Sequence, residues 1–334
     1  MPLTEEVNPS TTDLDSLDTH ELLHRINDED RRAAWAVERE LDVIGTAVDA
    51  ISERLSRGGR LHYFGAGSSG RVGFADAAEL PPTFSVPADM VVAHVAGGLL
   101  ALTGAVEAAE DDAAAGTRDV AAAGIGARDA VIGISASGGA PYVLAAVRAA
   151  KAAGALTVAL VASQGSELAR IASIPIVLLT GPEVVSGSTR MKAASAQKMA
   201  LTTISTAVMV KLGRVHGNLM VDVKPTSAKL RARAVRMTAH LADCDPEAAR
   251  AALEGAGYRV KVATIMLRSG CTAAEAKGLL ERHGGVLRKA LAARLVLGQD
   301  RGLIKIADDF DAMNDEIADL FEGSPPRSRR KRKS

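Results

Sequence analysis

The sequence predicts an α/β protein built on a five-stranded, doubly wound parallel sheet. Two observations support this. After Gly59, short β-branched runs alternate with Ala-rich helical stretches, and the runs are apolar throughout instead of alternating with polar residues. Such strands are typical of a parallel sheet that is covered by helices on both faces. The predicted strands are 61–64, 91–95, 131–134, 156–161 and 174–179.

The predicted helices divide the chain into four regions. An apolar period of 3.6 predicts helix over 16–57, so residues 1–57 form a helical N-terminal segment. Within the α/β domain, 58–225, we predict helices at 71–80, 100–123, 141–153, 166–172 and 190–212. A small helical domain follows at 235–300, because Asp245-Pro246 and the capping box Thr272 to Glu275 are helix starts. Residues 301–334 form an extension that ends in a basic tail.

Composition excludes several classes of partner. The 334 residues carry 40 Lys and Arg against 40 Asp and Glu, so no net field attracts nucleic acid or a membrane surface. No run of 18 apolar residues is free of charge or Gly, and the acidic N-terminus lacks the apolar core of a signal peptide. Only Cys244 and Cys271 are present, which suits a reducing compartment. We therefore expect a cytoplasmic protein.

Two Ser- and Gly-rich loops follow predicted strands. Residues 65–71 read Gly-Ala-Gly-Ser-Ser-Gly-Arg, and residues 135–139 read Ser-Ala-Ser-Gly-Gly. The first loop has the spacing of a dinucleotide-binding fingerprint, but the next strand does not end in the carboxylate that would hold a ribose; Asp89 lies at its other end. Backbone N–H groups and hydroxyls at helix starts bind anions. Two such loops at one edge of a sheet predict a site for a phosphorylated small molecule.

Further candidates are cations and carboxylates. Residues 187–192, Gly-Ser-Thr-Arg-Met-Lys, place hydroxyls and two cations at a helix start, where the helix dipole disfavours cations unless an anion is near. By spacing alone, Glu79 falls at the end of a helix and Glu110 falls in an acidic cluster that reads as a solvated face. The histidines have no metal-ligand spacing, so we predict no metal site.

Taken together, these motifs resemble one family. The runs that carry the resemblance are the 65–71 loop, Asp-Ala-Ala-Glu-Leu-Pro-Pro-Thr-Phe at 76–84, Ala-Gly-Gly at 96–98, Ala-Val-Glu-Ala-Ala-Glu-Asp at 105–111, the 187–192 run with Ala-Gln-Lys-Met at 196–199, and Asn-Leu-Met-Val-Asp at 218–222. They are similar to those of the N-acetylmuramic acid 6-phosphate etherases, over residues 5–292. Positions 139 and 140 depart from the family: this chain has Gly139 and Ala140 where the family usually has a longer side chain and Thr, which removes one hydroxyl that could bind phosphate.

The resemblance implies a sugar isomerase (SIS) fold over 58–225, a homodimer, and no cofactor. It implies cleavage of the D-lactyl ether of N-acetylmuramate 6-phosphate, which gives N-acetylglucosamine 6-phosphate and D-lactate in cell-wall recycling. By position, Glu79 matches the proton donor and Glu110 the second carboxylate, expected to be the general base. The expected substrate-binding residues are Gly67, Ser68, Ser69, Gly70, Arg71, Ser135, Ser137, Gly138, Ser188, Thr189 and Lys192.

Two alternatives stay open at this stage. A phosphosugar isomerase on the same fold also needs a base near C2 of the sugar, but it needs no acid at the ether oxygen. A non-catalytic sugar-phosphate sensor, like the glucokinase regulatory protein, needs neither carboxylate. Release of lactate distinguishes the etherase from both.

Overall fold

A computed structural model describes residues 3–293 of the chain. The strands are β1 (Leu61–Gly65), β2 (Val91–Val95), β3 (Ala130–Ser135), β4 (Leu156–Val161) and β5 (Ile174–Val177). The helices of the described part are α1 (Thr19–Glu38), α2 (Leu41–Ser56), α3 (Gly67–Phe84), α4 (Leu100–Thr103), α5 (Ala113–Ala122), α6 (Pro141–Ala152), α7 (Glu167–Ile171), α8 (Lys192–Lys211), α9 (Ala228–Ala242), α10 (Pro246–Gly255), α11 (Val260–Ser269), α12 (Ala273–Arg282) and α13 (Leu287–Ala292).

The five strands form one parallel sheet in the order β2-β1-β3-β4-β5. The predicted α/β fold class is therefore confirmed. In this order the chain reverses direction across the sheet between β1 and β3, which are hydrogen-bonded neighbours. Open α/β sheets of this order bind ligands in the crevice beyond the carboxyl ends of the strands at that reversal. The loops that follow β1 and β3 are the two Ser- and Gly-rich loops.

The sheet has an apolar core on each face. On one face, strand residues such as Ile132 and Ile134 pack against helices α1, α2, α3 and α8. On the other, residues such as Val131 and Phe64 pack against α5, α6 and α7. Neighbouring residues of a strand point to opposite faces, so burial on both faces explains why the strands are apolar at every position.

The C-terminal helices share a separate core. Val221 and Val223 pack there with apolar side chains from α9 to α13. The predicted helix starts are correct: the Asp245 carboxylate accepts from two backbone N–H groups of α10, and Thr272 and Glu275 form the predicted capping box. The boundaries that we predict between domains stay predictions. The predicted extension, 301–334, lies outside the described residues.

Helix α3 differs from its prediction. The sequence predicts that this helix ends at residue 80, because Pro81 and Pro82 disfavour a helix interior, yet α3 runs from Gly67 to Phe84 through both. Leu80 and Phe84 lie one turn apart and are both buried in the core under the sheet. Their burial outweighs the backbone hydrogen bonds that two prolines remove from the last turn. Glu79 therefore lies inside the helix, not at its end.

The predicted helix 100–123 is also wrong in its first half. Helix α4 ends at Thr103, Ala108 adopts a left-handed conformation with φ of 58°, and residues 109–111 form a 3₁₀ turn. Helix α5 begins after Asp112, whose carboxylate accepts from the Ala115 N–H at 2.8 Å. Glu110 therefore lies on a turn between two helices. Similarly, the predicted helix 16–57 is two helices that meet at residues 39–40.

Candidate active site

A cavity of about 270 Å³ lies beyond the carboxyl ends of β1 and β3. It brings together many of the predicted site residues: Gly67, Ser68 and Ser69 from the first loop, Ser135 and Ser137 from the second, Thr189 from the loop before α8, and Glu110. Glu5, Ala66, Ile134, Ala136 and Ala140 complete its lining. Within the described part of the chain, this lining holds two carboxylates and no lysine or arginine. Hydroxyl groups are its main hydrogen-bond donors.

The first loop is shaped by a close approach between β1 and α3. A Cβ atom at Gly65 would lie 2.7 Å from the Gly70 Cα, so only glycine permits this packing. Gly67 has a left-handed φ of 53°, which any side chain would strain. The turn places Ser68 and Ser69 at the N-terminus of α3 with their hydroxyls on the cavity. Ser69 Oγ donates to Gln197 Oε1 at 2.9 Å, which fixes its orientation.

The second loop turns tightly on its own hydroxyls. Ser135 Oγ accepts from the Gly138 N–H at 3.1 Å, and Ser137 Oγ accepts from the Gly139 N–H at 3.2 Å. The two hydroxyls also lie 3.5 Å apart, so one of them donates to the other and the second keeps its proton available for an anion in the cavity. Gly138 does not line the cavity. It has a φ of 68°, and a Cβ there would lie 2.4 Å from Ser166 Oγ, so its role is to permit the turn.

Glu110 is the candidate base. The residue is exposed overall, and it lines the cavity. Burial raises the pKa of this carboxyl above its ordinary value, and the nearby negative charge of Asp111 raises it further. A higher pKa makes the ionised carboxylate a stronger base for a carbon-bound proton. The sequence pattern alone assigned Glu110 to a solvated face, and the tertiary structure places it in the cavity.

Arg71 holds the segment that carries Glu110. Its Nε donates to the Ala101 carbonyl at 2.9 Å and its Nη2 donates to the Gly104 carbonyl at 2.8 Å. Arg71 does not line the cavity itself. In the structure this predicted substrate-binding residue therefore acts on the loop between α4 and α5, and so on the position of Glu110.

Lys192 lies inside the protein instead of on the cavity. It is fully buried, and its Nζ donates to Glu29 on α1. The Glu183 carboxylate accepts from the Lys192 and Ala193 N–H groups at 3.0 and 2.9 Å, which caps α8. These carboxylates explain how a cation can sit at a helix start. In the same loop, Thr189 lines the cavity and Ser188 does not.

Glu79 is the predicted catalytic residue that the cavity leaves out. It is exposed on α3 and does not line the cavity of a single chain. Gly70 is buried against β1 and takes no place in the lining either. The structure of one chain therefore brings one of the two predicted catalytic carboxylates to the hydroxyl-rich site.

Glu5 is a cavity residue that sequence reasoning missed. It belongs to an N-terminal strap, residues 3–11, that runs across the loop before α8. The Gly187 N–H donates to the Thr4 carbonyl at 3.1 Å, and Thr11 Oγ1 donates to the Val184 carbonyl at 2.9 Å. Residues 5 and 187 are far apart in sequence, so no spacing pattern could have joined them.

A larger cavity of about 670 Å³ lies between the C-terminal helices and the end of α8. Its buried Lys261 donates to Asp222 Oδ2 at 2.5 Å and to the carbonyls of Gly213 and Gly285, each at 2.9 Å. Its amine is thus fully engaged by the protein. We place the chemistry in the smaller cavity, where five side chains with hydroxyls and the Glu110 side chain line the same space.

Across residues 3–293, no group of three or more His, Cys, Asp or Glu side chains is arranged to hold a metal ion. His62 Nδ1 and His94 Nε2 do lie 3.1 Å apart, but the His94 ring stacks on both His62 and Phe64. No helix in the described residues is long and apolar enough to cross a membrane.

Comparison with known proteins agrees with this fold. The N-terminal SIS domain of the glucokinase regulatory protein matches residues 43–151, and the general SIS domain matches residues 102–211. N-acetylmuramic acid 6-phosphate etherase from Deinococcus radiodurans is 49% identical over 88% of this chain and 97% of its own. The proteins of that name from Edwardsiella ictaluri and Mycolicibacterium smegmatis are 47% and 48% identical, each over 87% of this chain and 97% of their own.

The sheet order, the hydroxyl-lined cavity and the domain matches define a protein of the SIS class. Within that class, the sequence identity to the etherases covers 87–88% of this chain and 97% of each of these relatives. The chain belongs to the N-acetylmuramic acid 6-phosphate etherase family.

Proposed function

We propose that this protein cleaves the D-lactyl ether of N-acetylmuramate 6-phosphate, releasing D-lactate and N-acetylglucosamine 6-phosphate, in the cytoplasm as part of cell-wall recycling. One observation of the structure carries the proposal: Glu110 shares a cavity with five side-chain hydroxyls at the carboxyl edge of the sheet. The family of the chain supplies the substrate class. Two free cysteines, Cys244 and Cys271, suit a reducing compartment.

The hydroxyls are suited to the phosphate. Ser68 and Ser69 stand at the N-terminus of α3, where the helix dipole and the first backbone N–H groups favour an anion. Ser135, Ser137 and Thr189 face the same space from two other loops. With the phosphate held there, the sugar carbons extend toward Glu110.

The elimination of lactate needs two proton transfers. The C3–O ether bond is hard to break, because the departing lactate alkoxide is a poor leaving group. It breaks more easily when C2, the neighbouring carbon, can carry negative charge. The sugar must therefore first open to its aldehyde, which acidifies the C2 proton. Glu110 takes that proton. The C2 electron pair forms a double bond to C3, the C3–O bond breaks, and an acid gives its proton to the departing lactate oxygen. Water then adds to C3 and a proton returns to C2, which completes N-acetylglucosamine 6-phosphate.

Glu79 is the proposed acid, and a homodimer would give it access. A general acid must come within hydrogen-bond reach of the oxygen that it protonates. Glu79 is exposed and lies outside the cavity of its own chain, so we propose that it enters the cavity of a second copy. A two-fold dimer would then form two composite sites, each with Glu110 from one chain and Glu79 from the other.

Release of D-lactate from N-acetylmuramate 6-phosphate by the purified protein tests the function. In deuterated water, Glu110→Ala should stop both lactate release and deuterium entry at C2, whereas Glu79→Ala should stop lactate release alone. Each loss should be about 10²–10⁴-fold, and a loss of less than about tenfold in both variants contradicts the assignment. A protein that interconverts aldose and ketose phosphates without releasing lactate would be an isomerase.

Mixing the two inactive variants tests the composite site. In a mixed dimer, one site keeps both carboxylates and the other site loses both. Random re-association of equal amounts gives half mixed dimers, so about a quarter of the wild-type activity should return. If both carboxylates act within one chain, the mixture stays inactive.

A further inference from the structure

The N-terminal strap carries a second carboxylate into the cavity. Glu5 lines it together with Glu110, while its neighbour Glu6 does not. The Glu5 carboxylate also lies against the loop before α8, because a Cβ atom at Gly187 would come within 2.8 Å of Glu5 Oε2. Gly187 has a left-handed φ of 74° and contributes no side chain, so it leaves room for the carboxylate.

The strap is fastened, so Glu5 is not on a fraying end. Thr4 is fully buried and its carbonyl accepts from the Gly187 N–H. Asn8 Nδ2 donates to Glu29 Oε2 at 2.9 Å and to the Pro182 carbonyl at 3.2 Å, and Thr11 is held by Val184. Hydrogen bonds on both sides of Glu5 therefore fix the backbone that presents it, and a backbone that is already ordered costs less entropy when a ligand binds.

The chemistry of the cavity limits what Glu5 can do. An ionised carboxylate only accepts hydrogen bonds, so it repels a phosphate and attracts O–H and N–H groups. Among the described residues, those that line the cavity include no cation that could neutralise it. An amino sugar phosphate offers both kinds of group, with the phosphate at one end and the hydroxyl and amide N–H groups at the other.

We propose that Glu5 is a substrate-binding residue that accepts hydrogen bonds from the hydroxyl or amide N–H groups of the sugar and so orients the ring between the phosphate-binding hydroxyls and Glu110. This inference rests on the proposed function for the identity of the substrate. It adds to the reaction a residue that performs no proton transfer.

The test compares Glu5→Ala with the matched control Glu6→Ala, which removes the same charge from the adjacent position outside the cavity. Hydrogen bonds to a charged group predict that Glu5→Ala weakens calorimetric binding of N-acetylglucosamine 6-phosphate by about 10- to 100-fold. Inhibition by inorganic phosphate should be unchanged or slightly stronger, because Glu5 does not contact the phosphate. In turnover, KM should rise with kcat nearly unchanged, since the contact is present in both ground and transition states.

Each result has one reading. Weaker binding of the sugar phosphate alone, with Glu6→Ala like wild type, supports the proposal. Equal weakening of sugar phosphate and inorganic phosphate, or a lower melting temperature, would show that Glu5 only supports the loop before α8, and unchanged binding of both would overturn the proposal as well. If wild type binds N-acetylglucosamine 6-phosphate through Glu5 yet releases no lactate, the proposed function fails and the role of Glu5 stands.

Discussion

Replacing Lys192 with methionine should destabilise the protein rather than weaken its hold on substrate. Lys192 is fully buried and pairs with Glu29, which is also buried. Methionine keeps most of the volume of the lysine side chain but removes its charge. The Glu29 carboxylate is then left inside the protein without its main partner.

The structure sets the size of the effect. Breaking a buried ion pair costs about 3–5 kcal/mol, because it strands one charge. Glu29 keeps Asn8 at 2.9 Å and Arg32 at 3.2 Å, so we expect the low end, about 3 kcal/mol. At about 2 °C per kcal/mol, the melting temperature should fall by about 6 °C. As a control, Lys277→Met breaks an exposed pair with Glu281 and should cost less than about 1 kcal/mol.

The stability that Lys192→Met loses should also depend on pH. Burial tends to raise the pKa of Glu29, but the hydrogen bonds from Lys192 and Asn8 outweigh it and hold the pKa below the ordinary value of 4.5. A depressed pKa gives stability that is present above the ordinary value and is lost as the pH falls through the folded value. In Lys192→Met the same carboxyl can protonate. The difference in melting temperature from wild type should therefore be greatest at neutral pH and should shrink as the pH falls toward 4.5.

Thermal unfolding at several pH values, together with steady-state kinetics, distinguishes a structural role of Lys192 from a substrate-binding role. The double variant Glu29→Gln with Lys192→Met removes both charges and should be more stable than the two single losses predict. A raised KM with an unchanged melting temperature would refute this reasoning, and it would return Lys192 to the substrate-binding role that the sequence predicts.

Two further predictions concern the segment that carries Glu110. Arg71→Ala removes both hydrogen bonds to the loop between α4 and α5. This variant should lower kcat/KM by about tenfold, since misplaced groups react poorly, and it should speed proteolysis within residues 104–112. An unchanged kcat/KM would contradict a positioning role for Arg71. Asp111→Asn removes the negative charge that helps to raise the pKa of Glu110. The pKa should fall, so the acid limb of the kcat/KM profile should move to lower pH, and a shift to higher pH would exclude Glu110 as the base.

The sequence by itself predicts what depends on near neighbours in the chain. Apolar runs give the five strands, because burial on both faces of a sheet requires them. The starts of α10 and α12 follow from Asp245 and Thr272, whose side chains bond N–H groups two and three positions away. The two Ser- and Gly-rich loops could be placed at one edge of the sheet for the same reason, since each directly follows a strand.

Only the tertiary structure decides what depends on residues that are far apart in the chain. Helix α3 continues through Pro81 because the core buries Phe84, and Glu110 lines the cavity although its sequence pattern is that of a solvated face. Glu29 neutralises Lys192 from 163 positions away. Such partners have no spacing that a sequence pattern could record. Their energies come from burial and from charges brought together by the fold, so these assignments exist only once the chain has folded.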